Sequence, residues 1–420
     1  MGKRNSANFA VQQNGVTTVP LTKLTKTNCL MKFFMSDLPL GKKRISFAAV
    51  FWFLLAIIAA VIQVSKKDGL GINNYLIFKG VFWHAFHRMD LFAAYPAEYG
   101  DINHYGPFFS VIIAPFALLP DKIGCFLWCM ANAAFLYYAV RRLPVSYRNK
   151  NIILLIGAVE MMTAIHNVQF NPMITAWILF SYILVYEEKD FWATLFIAAG
   201  ILTKLYGIVG LAFFFFSNNK SIFILSLVFW LGAFFGLPML FSSASFIIQS
   251  YKDWYHALSD KNQLNVDSPM QGMTVMRIIK KFLRVNISDL YVLSAAAFFY
   301  LLPLLRFRQL REITFQLSYL AMLLIGTVIF SSSAESATFV IAMTGVGIWY
   351  ITQEKKTWVH VVLAFAILFT SLSTTDLFPG HIKSEYVRPY ALKALGCLTV
   401  WIILAFHLIT KNFASRPAHT

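Results

Sequence analysis

The sequence predicts an all-α polytopic membrane protein of about twelve transmembrane helices, and three observations predict it. Of the 420 residues, 58% are hydrophobic and only 13% are charged. Soluble domains are about a quarter charged, so this chain lacks the polar side chains needed to coat a water-facing surface. Second, the apolar residues gather in long runs that suit a hydrocarbon layer, and the mean hydropathy is +0.62. Third, 36 Lys and Arg stand against 19 Asp and Glu, a net charge of +17, with much of the excess between the runs. Basic side chains placed there hold loops in the cytoplasm. A soluble enzyme is excluded, and so is disorder, which needs low hydrophobicity. Membrane orientation accounts for the basic balance, so no nucleic-acid partner is expected.

Residues 1–44 form a basic tail with Lys3, Arg4, Lys23, Lys26, Lys32, Lys42, Lys43 and Arg44 against the single acid Asp37. An uninterrupted apolar run follows over 45–64. A cleaved signal has a shorter apolar core and a shorter basic lead, so this run is expected to stay as the first span, with the N-terminus cytoplasmic. Further spans are expected at 107–119, 123–140, 151–166, 172–186, 191–216, 221–240, 290–305, 313–330, 337–352, 358–373 and 391–410. An even count returns the tail, 411–420, to the cytoplasm. Arg306, Arg308 and Arg311, then Lys355 and Lys356, then Lys411 and Arg416 agree with this orientation. Arg141, Arg142, Arg148 and Lys150 do not, because the count leaves them outside; a local re-entrant segment near the short 107–119 run would change the parity there. One transmembrane domain over 45–410 thus carries three long outer segments, 65–106, 241–289 and 374–390. Connections of this length between packed helices are usually functional.

The first outer segment interleaves His84, Asp90, Tyr95, Glu98, Tyr99, Asp101, His104 and Tyr105 just before Pro107 opens a helix. An interfacial belt explains the aromatics but not three carboxylates on a face with no orientation role. Lys204 lies near the middle of the 191–216 run, where a lysine costs about 2.5–3.5 kcal/mol to insert. It is expected either to pair with Glu160 or to meet a lipid phosphate. The turn His166-Asn167-Val168-Gln169-Phe170-Asn171-Pro172 reads as a capped helix start, with Asn171 as the cap, or as a polar wall. Glu335, His381, Lys383 and Arg388 also face outward; the last two suit either interfacial anchoring or anion binding. Cys29, Cys125, Cys129 and Cys397 show no metal-type pairing, and no His/Cys/Asp cluster has ligand spacing.

These residues carry a resemblance. The run Tyr105-Gly106-Pro107-Phe108, Ala114-Pro115, Leu119-Pro120 and Trp128, the turn Gln169-x-Asn171-Pro172, and the helix Ala199-Gly200…Lys204-Leu205-Tyr206 resemble the GT-C class of integral-membrane glycosyltransferases. Within it they are similar to glycosyltransferase family 87, the polyprenyl-phosphate-mannose-dependent mannosyltransferase-like group. Three positions depart from the family pattern: Gly106 and Gly207 stand where prolines are usual, and Asn74, four before Phe78, where the family has an acid.

The resemblance implies a GT-C-like fold and a metal-independent, inverting transfer of a mannose-like hexose. The donor would be a polyprenyl-phosphate sugar and the acceptor a hydroxyl on a glycan or glycolipid, at the periplasmic or extracellular face of a bacterial plasma (inner) membrane. No cofactor is implied, since the lipid-linked sugar is a substrate. A carboxylate must take the acceptor proton and cations must steady the departing phosphate. Asn74 cannot serve as base, so either Asp101 has taken that role, with Glu98 and Asp90 behind it, or the activity differs from the family's. Lys204, Lys383 and Arg388 are the candidate phosphate partners. His104, Tyr105, Gln169, Asn171, Glu335 and His381 are candidate substrate contacts. A lipid-linked-oligosaccharide flippase or secondary transporter is the alternative; it would place its polar groups at the midplane of its helices. A polysaccharide polymerase would use the same donor class.

Overall fold

The computed structural model describes residues 37–40, 43–67, 71–265, 272–282, 284–285, 287–331 and 334–413. The basic tail up to Lys32, Cys29, Lys42, Arg416 and residues 266–271 of the second outer segment lie outside the described residues. The chain divides into two compact units, Met1–Phe47 and Ala48–Thr420. The first holds an antiparallel ribbon of β1 (Asp37–Leu40) and β2 (Lys43–Ser46), in which Leu38 faces Ile45 and Leu40 faces Lys43. Residues 45 and 46, assigned above to the first span, are therefore strand.

The second unit is helical, beginning with α1 (Phe47–Ser65). One side of α1 buries Trp52, Ala56, Ala59 and Ala60, while Leu54, Ile57, Ile58, Val61 and Ile62 stay exposed. Small residues inward and branched aliphatics outward suit a helix that packs on its neighbours and meets lipid elsewhere. The Trp52 indole donates to the Ala133 carbonyl at 3.0 Å. Among the described residues, α1, α4 (Asp121–Arg142), the Lys220–Leu240 segment and the C-terminal helix (Leu392–Thr410) are long and apolar enough to cross a membrane, and six shorter apolar helices accompany them.

Two expected spans are built differently. The first outer segment is not a loop throughout, since it contains α2 (Asn73–His87), which ends at Arg88 in the left-handed conformation (φ 56°). The expected span 107–119 is only a nine-residue helix, α3 (Phe109–Ala117), packed against α2. At 1.5 Å per residue it reaches about 14 Å, under half a hydrocarbon core. Pro107 and Pro115 bound and interrupt its hydrogen-bonding run.

The expected single span 191–216 is a hairpin. After α5 (Tyr147–His166) and α6 (Asn171–Tyr186), α7 (Asp190–Lys204) ends at Leu205, whose φ is 59°. A 3-10 helix over Tyr206–Phe215 then runs back along α7. In a continuous helix Gly200 and Gly207 would sit about 10 Å apart. Here a Cβ on Gly200 would come 2.6 Å from the Gly207 Cα. The base of the hairpin closes where Asn218 donates to Glu188 at 2.9 Å. The two arms match in length, about 22 Å of α-helix and about 20 Å of 3-10 helix. Lys204 is thus at a tip rather than midway along a span.

Among the described residues, the remaining helices of eight residues or more are α8 (Lys220–Gly236), α9 (Ala244–Asn265), α10 (Val275–Phe282), α11 (Asp289–Leu304), α12 (Ile313–Ile329), α13 (Phe339–Thr352), α14 (Thr357–Ala366, extended as a π-helix over Ile367–Leu372) and α15 (Leu392–Thr410). α12 and α13, α13 and α5, and α6 with α4 and α7 form the core of this unit. Its connections sort into two ends. At one, Arg142 pairs with Glu187 at 2.6 Å, Arg306 donates to the Leu408 carbonyl at 2.6 Å, and Gln309 to Asn412 at 3.0 Å. Burial, together with the charge of Arg148, lowers the Lys355 pKa to about 8. The basic groups of 141–150, 306–311 and 355–356 so share one end of the unit. At the other end, Asn74 donates to the Asn167 carbonyl at 2.8 Å, Tyr206 and Ser331 hydroxyls lie 3.1 Å apart, and the amides of Gly272 and Met273 donate to the Ala334 carbonyl.

Closing the hairpin at its glycines carries a testable cost. Gly200→Ala pushes a methyl into Gly207 and should destabilise the protein by about 1–3 kcal/mol, the usual cost of overpacking. Gly232→Ala, where a Cβ meets nothing within 4 Å, should be neutral or slightly stabilising. Thermal unfolding of both variants in one detergent checks the contrast.

Candidate active site

The two-ended sorting leaves a cavity of about 730 Å³ at the end opposite the basic connections. Its wall draws on α2 (Asn74, Ile77, Phe78), the segment before α3 (Asp101, His104, Tyr105), the α5–α6 turn (Asn167, Gln169), the hairpin tip (Lys204, Leu205, Tyr206), α9 (Leu258, Lys261), the Ser331–Thr338 turn with Glu335, and both ends of the 374–390 segment (Thr374, Arg388).

Lys204 is the fixed point. Its Nζ donates to Asn171 Oδ1 at 2.7 Å and to the Tyr105 hydroxyl at 3.4 Å. It lies 5.3 Å from the centre of the Tyr105 ring and 5.5 Å from that of Tyr206. Asn171 in turn donates to the Ala337 carbonyl at 3.0 Å. Its side chain therefore orients the lysine and does not cap α6, whose N-cap is Phe170 without a side-chain bond. The expected pairing of Lys204 with Glu160 does not occur, because Glu160 bonds Lys393 at 2.8 Å. Lys204 ends α7, where the helix dipole favours a cation.

The approach to the tip is equally specific. Gly106 N–H donates to the Thr203 carbonyl at 3.0 Å, filling an acceptor that the end of α7 leaves free. A Cβ at Gly106 would stand 2.2 Å from the Leu202 carbonyl oxygen, so only glycine approaches this closely. Asn103, buried and not singled out above, locks the same stretch: its Oδ1 accepts from the Tyr105 amide at 2.8 Å and its Nδ2 donates to the Tyr105 carbonyl at 3.0 Å. The Trp254 indole holds the His104 carbonyl at 3.0 Å.

Asp101 is exposed in the wall, its Oδ1 accepting from the Ile102 amide at 2.8 Å. The preceding Gly100 amide donates to Asn73 Oδ1 at 2.7 Å, which brings Asp101 close to Asn74. Lys261 faces both Asp101 and Glu335; burial lowers its pKa against the pull of these two acids. Burial and the Lys261 charge lower His104 to about 4, so His104 is neutral through the physiological range. Its Nδ1 is buried without a hydrogen-bond partner among the described residues. Glu335 opens the Ser336–Thr338 turn in a reciprocal capping arrangement with Thr338.

The structure thus gathers Asp101, His104, Tyr105, Gln169, Lys204, Glu335 and Arg388 around one cavity, with Asn171 buried behind Lys204. It does not bring the other candidates there. The Asp90 carboxylate accepts from the Phe92 amide at 2.8 Å, shaping a turn. Glu98 lies 3.1 Å from His84 Nε2. Lys383 pairs with Asp376 at 2.9 Å, and His381 is exposed outside the cavity wall. Lys261 was missed, although Trp254, Leu258 and Lys261 fall at i, i+4 and i+7 of α9, one helical stripe.

A helical membrane protein that brings a carboxylate and several cations to one cavity holds groups suited to proton transfer and to anion binding. A family model agrees: glycosyltransferase family 87 matches residues 103–333, more than half of the chain. The chain belongs to glycosyltransferase family 87, and it is a membrane glycosyltransferase. The matched stretch includes Tyr105, Gln169, Asn171, Lys204 and Lys261; Asp101 lies two residues before it and Arg388 beyond it. No curated protein matches the chain.

The lowered His104 pKa has a signed consequence. Unfolded, His104 binds a proton near pH 6.5; folded, it does so only near 4. Its neutral burial therefore costs nothing above 6.5 and costs stability progressively as the pH falls toward 4. The drop in melting temperature between pH 6.5 and 4.5 should be smaller in His104→Gln than in the wild type.

Proposed function

We propose that the cavity transfers a mannose-like hexose from a polyprenyl-phosphate sugar to an acceptor hydroxyl, with inversion and without a metal, at the periplasmic face of a bacterial plasma membrane. The observation that carries this reading is that Asp101 shares one cavity with three cations, Lys204, Lys261 and Arg388. The phosphate of the donor lies against Lys204, which Asn171 and Tyr105 hold in place. The Asp101 carboxylate takes the acceptor proton as the acceptor oxygen bonds to the anomeric carbon. The bond from that carbon to the phosphate oxygen breaks with its electron pair, and the cations stabilise the charge that develops there. His104, uncharged, and Gln169 and Asn167 offer hydrogen bonds to sugar hydroxyls without competing for the phosphate. Asp101 stands in for the acid that the family pattern places at Asn74.

The two altered segments support a twelve-crossing arrangement of a different composition from the one expected. Removing 107–119 and counting the hairpin 190–215 as two crossings keeps both termini cytoplasmic. It also puts Arg141, Arg142, Arg148 and Lys150 inside with the other basic connections. The cavity then opens on the outer face. Single cysteines in 250–260 should react with an impermeant maleimide from outside in intact cells, and cysteines in 142–148 and 306–311 should not. Labelling of 142–148 from outside would overturn this arrangement.

Purified protein in detergent, given a labelled polyprenyl-phosphate hexose and an acceptor extract, should release polyprenyl phosphate. Asp101→Asn should slow transfer by about 10²–10⁴-fold, the usual worth of a positioned base, with donor binding retained. Lys204→Met should insert normally and lose donor binding. Wild-type transfer by both variants would sink the assignment.

A further inference from the structure

We propose that the buried Glu160–Lys393 ion pair is a pin across the neck of the 374–390 segment and holds Thr374 and Arg388 in the cavity wall. Both side chains are fully buried, and Lys393 Nζ contacts the two Glu160 oxygens at 2.8 and 3.0 Å. Ionised groups inside a membrane protein are costly and mark positions with a task. The third contact of this ammonium shows the task. It donates to Thr374 Oγ1 at 3.3 Å, and Thr374 lines the cavity. Thr374 begins the outer segment and Lys393 stands just after its end, so one cation on α15 reaches across the segment's base to the end of α14 and is anchored on α5.

Further bonds close the same neck. Thr370 Oγ1 donates to the Lys393 carbonyl at 2.9 Å. The buried Ala391 takes the left-handed conformation (φ 51°) and its amide donates to the Arg388 carbonyl at 3.2 Å. The path from the pair to the Arg388 backbone is therefore short and hydrogen-bonded. Nothing in the proposed transfer uses Glu160 or Lys393 directly, since neither lines the cavity. They are positioning residues. Their kinetic signature rests on the reading of Arg388 as a phosphate cation; the pin itself does not.

The test uses the neutral pair Glu160→Gln/Lys393→Met, which leaves no unmatched charge buried. The reporter is Val387→Cys, at a position only 2% exposed within the segment. Cys29 is replaced by Ser, which leaves the buried Cys125, Cys129 and Cys397 as internal controls. With the native pair, the cysteine at 387 should resist maleimide; with the neutral pair it should label about tenfold faster while Cys125 and Cys129 stay protected. The neutral pair should also raise the donor KM by about tenfold with kcat little changed. In an Arg388→Gln background it should add nothing further. Unchanged protection at 387 overturns the pin, as does simultaneous labelling of Cys125 and Cys129, which would make the pair a general stabiliser. Should 387 open while Arg388→Gln leaves the donor KM unaltered, the pin stands and the phosphate role of Arg388 fails.

Discussion

The site depends on the chain reversing at Leu205. Two glycines make the reversal possible: Gly200 and Gly207 bring the arms into backbone contact, closer than any side chain allows. The reversal ends α7 at Lys204 and delivers the ammonium to the cavity at the helix end. Had α7 continued, the same lysine would have lain within hydrocarbon at a cost of about 2.5–3.5 kcal/mol with nothing to offset it. The helix end also supplies the Thr203 carbonyl that fastens Gly106, so one break positions both the cation and the strand of chain that carries Asp101, His104 and Tyr105.

The departures from the family pattern at Gly106 and Gly207 have the same origin. A proline at 106 has no N–H to give Thr203, and its ring carbons would meet the Leu202 carbonyl. A proline at 207 would put a Cβ against Gly200, 2.5 Å from its Cα. In this chain the turn is tightened by backbone contact, where proline would stiffen it by fixing φ. The Asn74 departure is of another kind. Asn74 keeps its place in the cavity wall and spends its amide on the Asn167 carbonyl, while the Asn73–Gly100 bond carries Asp101 to the same side.

Much of this was legible in the sequence. Composition and the basic excess define a polytopic helical membrane protein, and the runs at 123–140, 151–166, 172–186 and 391–410 map onto helices within a few residues. The motifs holding Tyr105, Gln169, Asn171 and Lys204 converge on one cavity. What failed shares a cause: hydropathy reports how apolar a stretch is and is blind to its direction. The 191–216 run is apolar throughout, so neither its fold-back nor the change of Lys204 from mid-span to a half-buried tip shows in a window average. The 107–119 run is apolar too but too short once its prolines are counted. Long-range pairing is invisible for the same reason. Glu160 and Lys393 are 233 positions apart, and nothing local to either names the other, so Lys204 looked like the nearer partner. Asp90, Glu98 and Lys383 were chosen for charge and exposure, properties that turn-forming and surface-paired residues share with those at a site.

In the proposed transfer, the arrangement of charge around the cavity would give a selectivity that a simple basic pocket lacks. Lys204 donates its hydrogen bonds to neutral partners, Asn171 and Tyr105, and meets the Glu335 carboxylate through the field of the cavity without a salt bridge to it. Lys261 sits between Asp101 and Glu335, and its charge is partly answered by them. His104 stays uncharged, so it neither repels Lys204 nor neutralises Asp101. The wall thus carries Lys204 at the hairpin tip and Asp101 in the 101–104 segment, with Lys261 and Glu335 completing the field around them, and in the proposed transfer that polarity orients the substrate. A substrate with a phosphate at one end and a hydroxyl-bearing partner at the other fits that polarity in one orientation and is opposed by it in the reverse. In the proposed transfer this sets the phosphate against Lys204 and the acceptor hydroxyl against Asp101 before any bond changes.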